Sequence, residues 1–198
     1  MNRLALSAAF ATAMLFAGPS SAEFVNPIDF PQSGDPTDVQ VVIEIPAGSF
    51  TKYELDAKTG HIFVDRFQSM SVVYPTNYGS IPSTVGPDGD PLDALVILED
   101  ATFPGCWITA RPVGVFWMED DAGPDAKILC VPAGDPRWEK VEDMSDLPPH
   151  LVDEIEHFFE VYKVLEPEKH SSVRGWEGES AAVDEIAACR KRYADTPH

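Results

Sequence analysis

The sequence is short of basic residues. Its 198 residues include 14 lysines and arginines against 33 aspartates and glutamates, so the formal net charge is −19. This scarcity of cations argues against a nucleic-acid binder, because such proteins neutralise phosphates with Lys and Arg. An anionic membrane surface would also repel the chain. The partners that remain are cations, or anionic substrates that arrive together with cations.

The sequence also lacks the composition of a disordered chain and any cluster of metal-binding thiols. With 44% hydrophobic and 24% charged residues, it has the composition of a globular protein, and its length suits one domain. The three cysteines, Cys106, Cys130 and Cys189, show no close metal-ligand spacing. A disulfide between Cys106 and Cys130 and buried free thiols are both open alternatives.

Only one long hydrophobic run occurs, and it lies at the N-terminus. Residues 4–17 are apolar apart from one Ser and one Thr; they follow Arg3 and lead to small residues that end at Ala22. The run is shorter than the ~20 residues that span a bilayer. This pattern predicts a cleaved signal peptide at residues 1–22. We expect residues 23–198 to form one domain, exported to a bacterial periplasm without stable membrane association. A mis-assigned start would make the protein cytoplasmic instead.

Short runs rich in β-branched residues, bounded by Gly, Pro or Asp, predict several strands and favour a barrel or sandwich over βαβ units. The predicted strands cover residues 39–45, 52–55, 61–66, 94–98, 107–118 and 127–131. Two helices are predicted near the C-terminus, one with an apolar stripe from Leu151 to Tyr162 and one over about residues 179–193. The sequence therefore predicts a mainly β domain of the α+β class.

Acidic residues gather in two loops. Asp88, Asp90 and Asp93 fall within six residues where Gly and Pro prevent a helix. A turn there can aim three carboxylates at one divalent ion; the alternative is a solvated acidic loop. A calcium EF-hand is excluded, because Leu92 and Asp93 occupy two of its key positions and helices do not flank the loop.

The second loop contains Asp120, Asp121 and Asp125 at a Gly-Pro turn, with Lys127 two residues later. Hard oxygen ligands favour Mg²⁺ or Mn²⁺, whereas the absence of clustered His or Cys disfavours zinc. Two such loops in one domain indicate a site for more than one metal ion.

Cations and tyrosines are interspersed around these loops. They include Lys52, Arg66, Tyr74, Tyr78 and the pair Tyr162-Lys163. Half-buried strand tyrosines and a lysine at a helix C-terminus are the ordinary interpretation. Because basic residues are so scarce, the same groups are also candidates for anion recognition, since Lys, Arg and Tyr hydroxyls donate hydrogen bonds to phosphate oxygens.

From about residue 38 to residue 163, the chain resembles the soluble family I inorganic pyrophosphatases. The most specific match is Asp88-Gly-Asp-Pro-Leu-Asp-Ala94, the signature of that family. The supporting matches keep the order and spacing of the family: Val-Val-Ile-Glu44-Ile-Pro, Lys52-Tyr-Glu54, Phe-Val-Asp-Arg66, Tyr74-Pro-Thr-Asn-Tyr78-Gly, Asp120-Asp121-Ala-Gly-Pro-Asp125-Ala-Lys127 and His157-Phe-Phe-Glu-Val-Tyr162-Lys163.

The resemblance implies a five-stranded closed barrel of OB-like shape with helices outside it, and hydrolysis of pyrophosphate to two orthophosphates. It implies several Mg²⁺ ions per active site, with Mn²⁺ as a substitute; two of them would lower the pKa of a shared water and so supply hydroxide. A homo-oligomer is also implied, a hexamer for a chain of this size, although Val161 replaces a histidine of some hexameric members. The alternatives are an exported domain that binds divalent cations or phosphate without turnover, and a phosphohydrolase of polyphosphate.

The resemblance also implies a role for each matching residue. The first metal ion would be held by Asp88, Asp93 and Asp125, with Asp93 bridging to a second. Asp120 and Asp125, with Asp90 nearby, would hold a substrate-borne ion, and Glu44 a further one. Asp90 matches the proton acceptor. The phosphate-binding positions are matched by Lys52, Arg66, Tyr78, Lys127, Tyr162 and Lys163. The cavity positions are matched by Glu54, Tyr74 and Asp121, although many bacterial members have Glu in place of Asp121.

Overall fold

The computed structural model describes residues 25–196, so the predicted signal peptide at residues 1–22 lies outside the described residues. Within them the elements in chain order are β1 (Val39–Ile45), β2 (Thr51–Leu55), β3 (Ile62–Phe67), β4 (Asn77–Ile81), β5 (Leu92–Val96), β6 (Trp107–Asp120), β7 (Gly123–Pro132), α1 (Pro149–Val161), β8 (Ser171–Gly178) and α2 (Glu179–Asp195). Short 3₁₀ turns occur at Pro27–Asp29 and Met144–Asp146. No helix within residues 25–196 has the length and apolar character to cross a membrane.

Six strands form one sheet in the order β1-β4-β5-β7-β6-β8, and β1 also pairs with β6. Each of β1, β4, β5, β7 and β6 therefore has a neighbour on both sides. The β5–β7 pair is parallel, whereas the other pairs are antiparallel, and β2 and β3 form a separate hairpin. The prediction of a mainly β fold with two helices near the C-terminus is confirmed.

Two strands were not predicted from the sequence. Strand β4 (Asn77–Ile81) overlaps residues 74–79, which were interpreted as a turn because Asn77 and Gly79 have low β propensity. Tertiary pairing overrides that preference, since β4 lies between β1 and β5. Strand β8 was missed for the same reason: it contains two glycines and alternates weakly, yet it pairs with β6 along seven residues.

Strands β1, β5 and β7 bury side chains on both faces, which explains their nearly continuous hydrophobic sequences. One face of β5 and β7, with Ala94 and Ile128, packs into a cluster that includes Ile186 of α2. The alternate residues, such as Leu95 and Leu129, pack into a second cluster that contains the buried side of α1. The two helices therefore cover different parts of one sheet.

The three cysteines are free thiols in the structure. Cys130 and Cys189 are buried, whereas Cys106 is half-buried. Of the two alternatives left open by the sequence, the disulfide between Cys106 and Cys130 is absent from this structure.

The close contact between β1 and β4 generates a stability prediction. Gly79 faces Ile43, and a Cβ built on Gly79 would overlap the Val42 carbonyl oxygen and lie 2.8 Å from Ile43 Cα. We expect Gly79→Ala to lower the free energy of unfolding by about 1–3 kcal/mol, because two backbones must move apart. Urea unfolding measures the change. Gly34→Ala is the control, since nothing lies within 4 Å of its added Cβ; equal stability of the two variants would contradict the prediction.

Candidate active site

A cavity of about 450 Å³ lies between the β2–β3 hairpin, the loop after β4, the β6–β7 turn and the end of α1. All but one of the site residues predicted from the sequence line it: Glu44, Lys52, Glu54, Arg66, Tyr74, Tyr78, Asp88, Asp90, Asp93, Asp120, Asp125, Lys127, Tyr162 and Lys163. The structure therefore brings together groups that are up to 119 residues apart in the chain.

The loop after β4 folds into a tight turn that presents two carboxylates. The Gly86 N–H donates to the Asp90 carbonyl at 2.6 Å, and the Asp90 N–H donates to Asp88 Oδ1 at 3.1 Å. Gly89 has φ of +96°, a conformation that glycine adopts without strain. Burial raises the pKa of Asp90, and the nearby carboxylates of Asp88 and Glu54 raise it further. Burial likewise raises the pKa of Asp88. The turn thus crowds two acids where a cation would relieve their repulsion.

The parallel pairing of β5 and β7 places Asp93 beside Lys127. The Lys127 Nζ lies 2.6 Å from Asp93 Oδ2 and 2.9 Å from both carboxylate oxygens of Asp125. The Tyr78 hydroxyl donates a short hydrogen bond to the same Asp93 oxygen. Burial alone would lower the pKa of Lys127, but the carboxylates of Asp125 and Asp93 outweigh it and raise that pKa well above its usual range. Lys127 is therefore a permanent buried cation.

Glu44 is a buried acid at an irregularity in β1. The pairing of β1 with β4 shifts register between Ile43 and Ile45, which turns Glu44 toward the cavity. Its carboxylate accepts hydrogen bonds from the Leu55 N–H at 2.9 Å and the Ser80 hydroxyl at 3.0 Å. Burial, with a contribution from the Asp93 carboxylate, raises the pKa of Glu44 to about 7. Glu44 is thus a buried acid that two hydrogen bonds hold in place at the cavity wall.

The remaining cations approach from the hairpin and from α1. Lys52 and Arg66 face each other across β2 and β3, and both contact Asp65, at 3.1 Å and 2.7 Å. Lys163 follows the end of α1 and lies 2.7 Å from Asp120. These cations converge on one cavity from three separate elements, as phosphate recognition requires.

The charges on the wall do not balance. Eight carboxylates and five cations line the cavity, the fifth cation being Lys169. Among the described residues of the wall there is no histidine or cysteine, so the donor set suits a hard cation such as Mg²⁺ and not zinc. No three acidic, His or Cys side chains within residues 25–196 are close enough to form a ready-made metal cage. Mg²⁺ seldom needs one, because it keeps several waters and uses one or two carboxylates.

The structure places Asp121 outside the cavity wall. Its carboxylate accepts a hydrogen bond from the His170 backbone N–H at 3.1 Å, lies 2.5 Å from His170 Nδ1, and is 4.0 Å from Lys163 Nζ. Asp121 therefore fastens the segment after α1 to the β6–β7 turn and is not part of the cavity wall, where the family resemblance implied it.

Several residues near the site were missed by the sequence reasoning. Lys169 and Ile28 line the cavity, and Glu166 accepts a hydrogen bond from Arg66 Nε at 3.1 Å. These residues lie in segments without regular strand or helix patterns, so no periodicity marked them. The scarcity of basic residues was the one signal that could have identified Lys169.

Comparisons with known proteins agree with this geometry. The sequence profile described as inorganic pyrophosphatase matches residues 41–194. An inorganic pyrophosphatase of Methanosarcina acetivorans is 52% identical over 155 residues, which are 78% of this chain and 92% of the relative. One from Streptomyces coelicolor is 52% identical over 155 residues, covering 78% and 95%.

Solved structures are similar as well. The inorganic pyrophosphatase of Thermus thermophilus has 43% identity and a TM-score of 0.83, covering 86% of this chain and 99% of that one. The enzyme of Helicobacter pylori has 43% identity and a TM-score of 0.81, covering 83% and 98%. The chain therefore belongs to the inorganic pyrophosphatase family, the hydrolases that convert pyrophosphate to two orthophosphates.

Proposed function

We propose that the chain hydrolyses pyrophosphate in this cavity with Mg²⁺ ions held by the carboxylates and with Asp90 as the proton acceptor. The observation that carries the proposal is the wall itself, where an excess of carboxylates shares one cavity with five cations. A highly charged anion would be repelled by the carboxylates alone. Divalent ions between the acids and the anion convert that repulsion into attraction.

The metal ions would be held by Asp88, Asp93 and Asp125, with Asp93 shared between two of them. Asp120, Asp125 and the nearby Asp90 would hold an ion that arrives with the substrate, and Glu44 a further one. The raised pKa values of Asp88, Asp90 and Asp125 support this assignment, because desolvation destabilises each charged carboxylate and, at Asp125, outweighs the effect of the nearby Lys127 ammonium. When bound, Mg²⁺ would lower the pKa of a water and offset the negative charge of the phosphates. Family I pyrophosphatases are generally metal-dependent, and Mn²⁺ is a possible substitute.

Asp90 accepts a proton from the attacking water in this proposal. Its main chain is fixed by two hydrogen bonds of the turn, so the carboxylate is held at the cavity wall. Its raised pKa increases its basicity, which makes it a better proton acceptor near neutral pH. General base catalysis of this kind contributes about 10²–10⁴-fold to a rate.

The cations and tyrosines bind and orient the two phosphoryl groups. Lys163 and Arg66 are paired with carboxylates in the structure and would exchange those partners for phosphate oxygens. Tyr78 on β4 and Tyr162 at the end of α1 supply hydroxyl donors. Charge on the phosphate that leaves is then stabilised by groups already in place, which is the largest contribution to phosphoryl transfer. The phosphate-binding set is Lys52, Arg66, Tyr78, Lys127, Tyr162 and Lys163, with Glu54 and Tyr74 on the wall.

We also propose a barrel shape, a homo-oligomeric assembly and an exported location for the protein. The cyclic pairing of β1, β4, β5, β7 and β6 supports a closed five-stranded barrel of OB-like shape. We infer a homo-oligomer, a hexamer by analogy with the family, and a single domain over residues 23–198. The tripartite sequence of residues 1–22 supports export to the periplasm.

Substitution of Asp90 tests the catalytic assignment. We expect Asp90→Asn to lower kcat for pyrophosphate by about 10²-fold or more, because the amide cannot accept the proton of the attacking water. The measurement is phosphate release at saturating Mg²⁺ and pyrophosphate. Asp153→Asn, an exposed change of the same kind on α1, is the control and should leave kcat unchanged. If the kcat of Asp90→Asn lies within threefold of the wild-type kcat, Asp90 is not the proton acceptor.

Metal removal and a panel of substrates test the reaction. Phosphate release from pyrophosphate should fall to background in excess chelator and return on addition of Mg²⁺ or Mn²⁺, since the uncompensated carboxylates repel the substrate. Pyrophosphate should be preferred to tripolyphosphate and ATP. Activity that survives the chelator would contradict the metal assignment, and binding of pyrophosphate without turnover would favour the non-catalytic alternative.

A further inference from the structure

One wall of the cavity is formed by a segment that precedes the first strand. The strap, defined here as residues 26–30, contains the 3₁₀ turn Pro27–Asp29, and its Ile28 side chain lines the cavity. The strap lies outside residues 41–194, which match the family profile. None of the metal-binding or phosphate-binding residues assigned above belongs to it.

The strap joins two elements that form opposite edges of the cavity. The Asn26 side-chain amide donates to the Ala57 carbonyl at 2.6 Å, at the tip of the β2–β3 hairpin. The Ile28 carbonyl accepts from the Ser83 N–H at 2.7 Å, and the Phe30 carbonyl accepts from the Ser83 hydroxyl at 2.8 Å. Ser83 belongs to the loop that leads to Asp88 and Asp90. The strap therefore fixes the hairpin tip relative to the acidic loop.

The conformations at both attachment points are constrained. The Asn26 side-chain oxygen accepts a hydrogen bond from the Ile28 N–H at 3.2 Å, so the same amide caps the 3₁₀ turn and bridges to the hairpin. Ser83 has φ of 54°, a left-handed conformation that is strained for a residue other than glycine. Both of its hydrogen-bond donors go to the strap. The contact is thus specific and does not depend on packing alone.

The side chains that the β2–β3 hairpin contributes to the cavity wall change in charge from its base to its tip. At its base, Lys52 pairs with Arg66, and both cations line the cavity. One step further, Glu54 pairs with Phe63, and beyond them Asp56 and Ala57 complete the lining. Lys58, next in the chain, is not part of the described cavity wall. The hairpin tip beside the strap is therefore apolar and acidic, whereas the base of the hairpin, called the cationic end, carries Lys52 and Arg66, with the Lys52 ammonium 3.1 Å from Glu54.

Asp56 keeps its negative charge at the hairpin tip. Its carboxylate accepts hydrogen bonds from the backbone N–H groups of Lys58 at 2.7 Å and Thr59 at 3.3 Å. A third phosphate that extended from the cationic end toward the hairpin tip would meet this carboxylate and the side chains of Ile28, Ala57 and Phe63, none of which carries a hydrogen-bond donor. Pyrophosphate has only two phosphates and does not need to extend to the hairpin tip.

We propose that Ile28, held by Asn26, is a specificity-determining residue that closes the cavity to inorganic polyphosphates longer than pyrophosphate. The inference rests on the proposed function, because it assumes that the cationic end binds the two phosphates of pyrophosphate. Discrimination arises from exclusion at the hairpin tip and not from stronger binding of the smaller substrate. Asn26 acts through Ile28 and is a positioning residue.

The test is the ratio of kcat/KM for tripolyphosphate to kcat/KM for pyrophosphate, with Mg²⁺. Ile28→Ala and Asn26→Ala should each raise the ratio by about tenfold, a typical effect of opening a pocket by a few methylene groups. The kcat for pyrophosphate should stay within about threefold in Ile28→Ala, which keeps both attachments of the strap. Val25→Ala, in the same segment with a side chain outside the cavity wall, should leave the ratio unchanged.

A second variant tests the same idea by charge. Ala57→Lys adds a cation at the hairpin tip and should raise the ratio without any loss of the strap. The inference is overturned if the ratio in Ile28→Ala equals that of Val25→Ala, or if Ile28→Ala slows both substrates in proportion, because the strap would then only stabilise the fold. Failure of the proposed function is distinguishable: the unchanged chain would release no phosphate from pyrophosphate, and the inference would fall with it.

Discussion

The Lys127 ammonium lies buried between two carboxylates, and the arrangement of the active site depends on that contact. Transfer of an ammonium from water to a protein interior costs several kcal/mol unless opposite charges compensate it. Here the compensation comes from Asp93 at 2.6 Å and Asp125 at 2.9 Å, and the Tyr78 and Phe159 rings lie 5.3 Å from the same nitrogen. One cation therefore links β4, β5, β7 and α1 at a single point.

Because Lys127 is engaged by Asp93 and Asp125, it does not neutralise the other carboxylates of the site. Lys127 compensates one acidic pair, whereas Glu44 is buried and the exposed Asp88 and Asp90 are partly desolvated by the cavity wall, so that the pKa values of all three carboxyl groups are raised. A protein that retains so many partly buried acids in one cavity loses stability unless a ligand offsets them. The net acidity of the chain has the same origin in part, since the cavity concentrates acids that act only together with cations.

The sequence predicted much of the fold and the site because both leave local signals. Strands β1 and β7 are buried on both faces and read as hydrophobic runs, and the Asp88-to-Asp93 loop has a specific motif. Strand β4 escaped prediction, because Asn77 and Gly79 take their conformation from neighbouring strands. Asp121 was assigned to the cavity by its match to the family pattern, but it lies in the turn after β6, where its carboxylate accepts a hydrogen bond from the His170 backbone N–H. The role of Ile28 depends on contacts with Ala57 and Ser83, which are distant in the chain and carry no local pattern.

The central claim is that the carboxylates of this cavity bind several divalent ions. Anomalous diffraction from crystals grown with Mn²⁺ tests it most directly, since the metal positions are seen without reference to activity. We expect at least two anomalous peaks in the cavity, each at about 2.1–2.3 Å from carboxylate oxygens, with Asp93 contacting two of the ions. Mn²⁺ bound only at the protein surface, with the cavity free of anomalous signal, would contradict it.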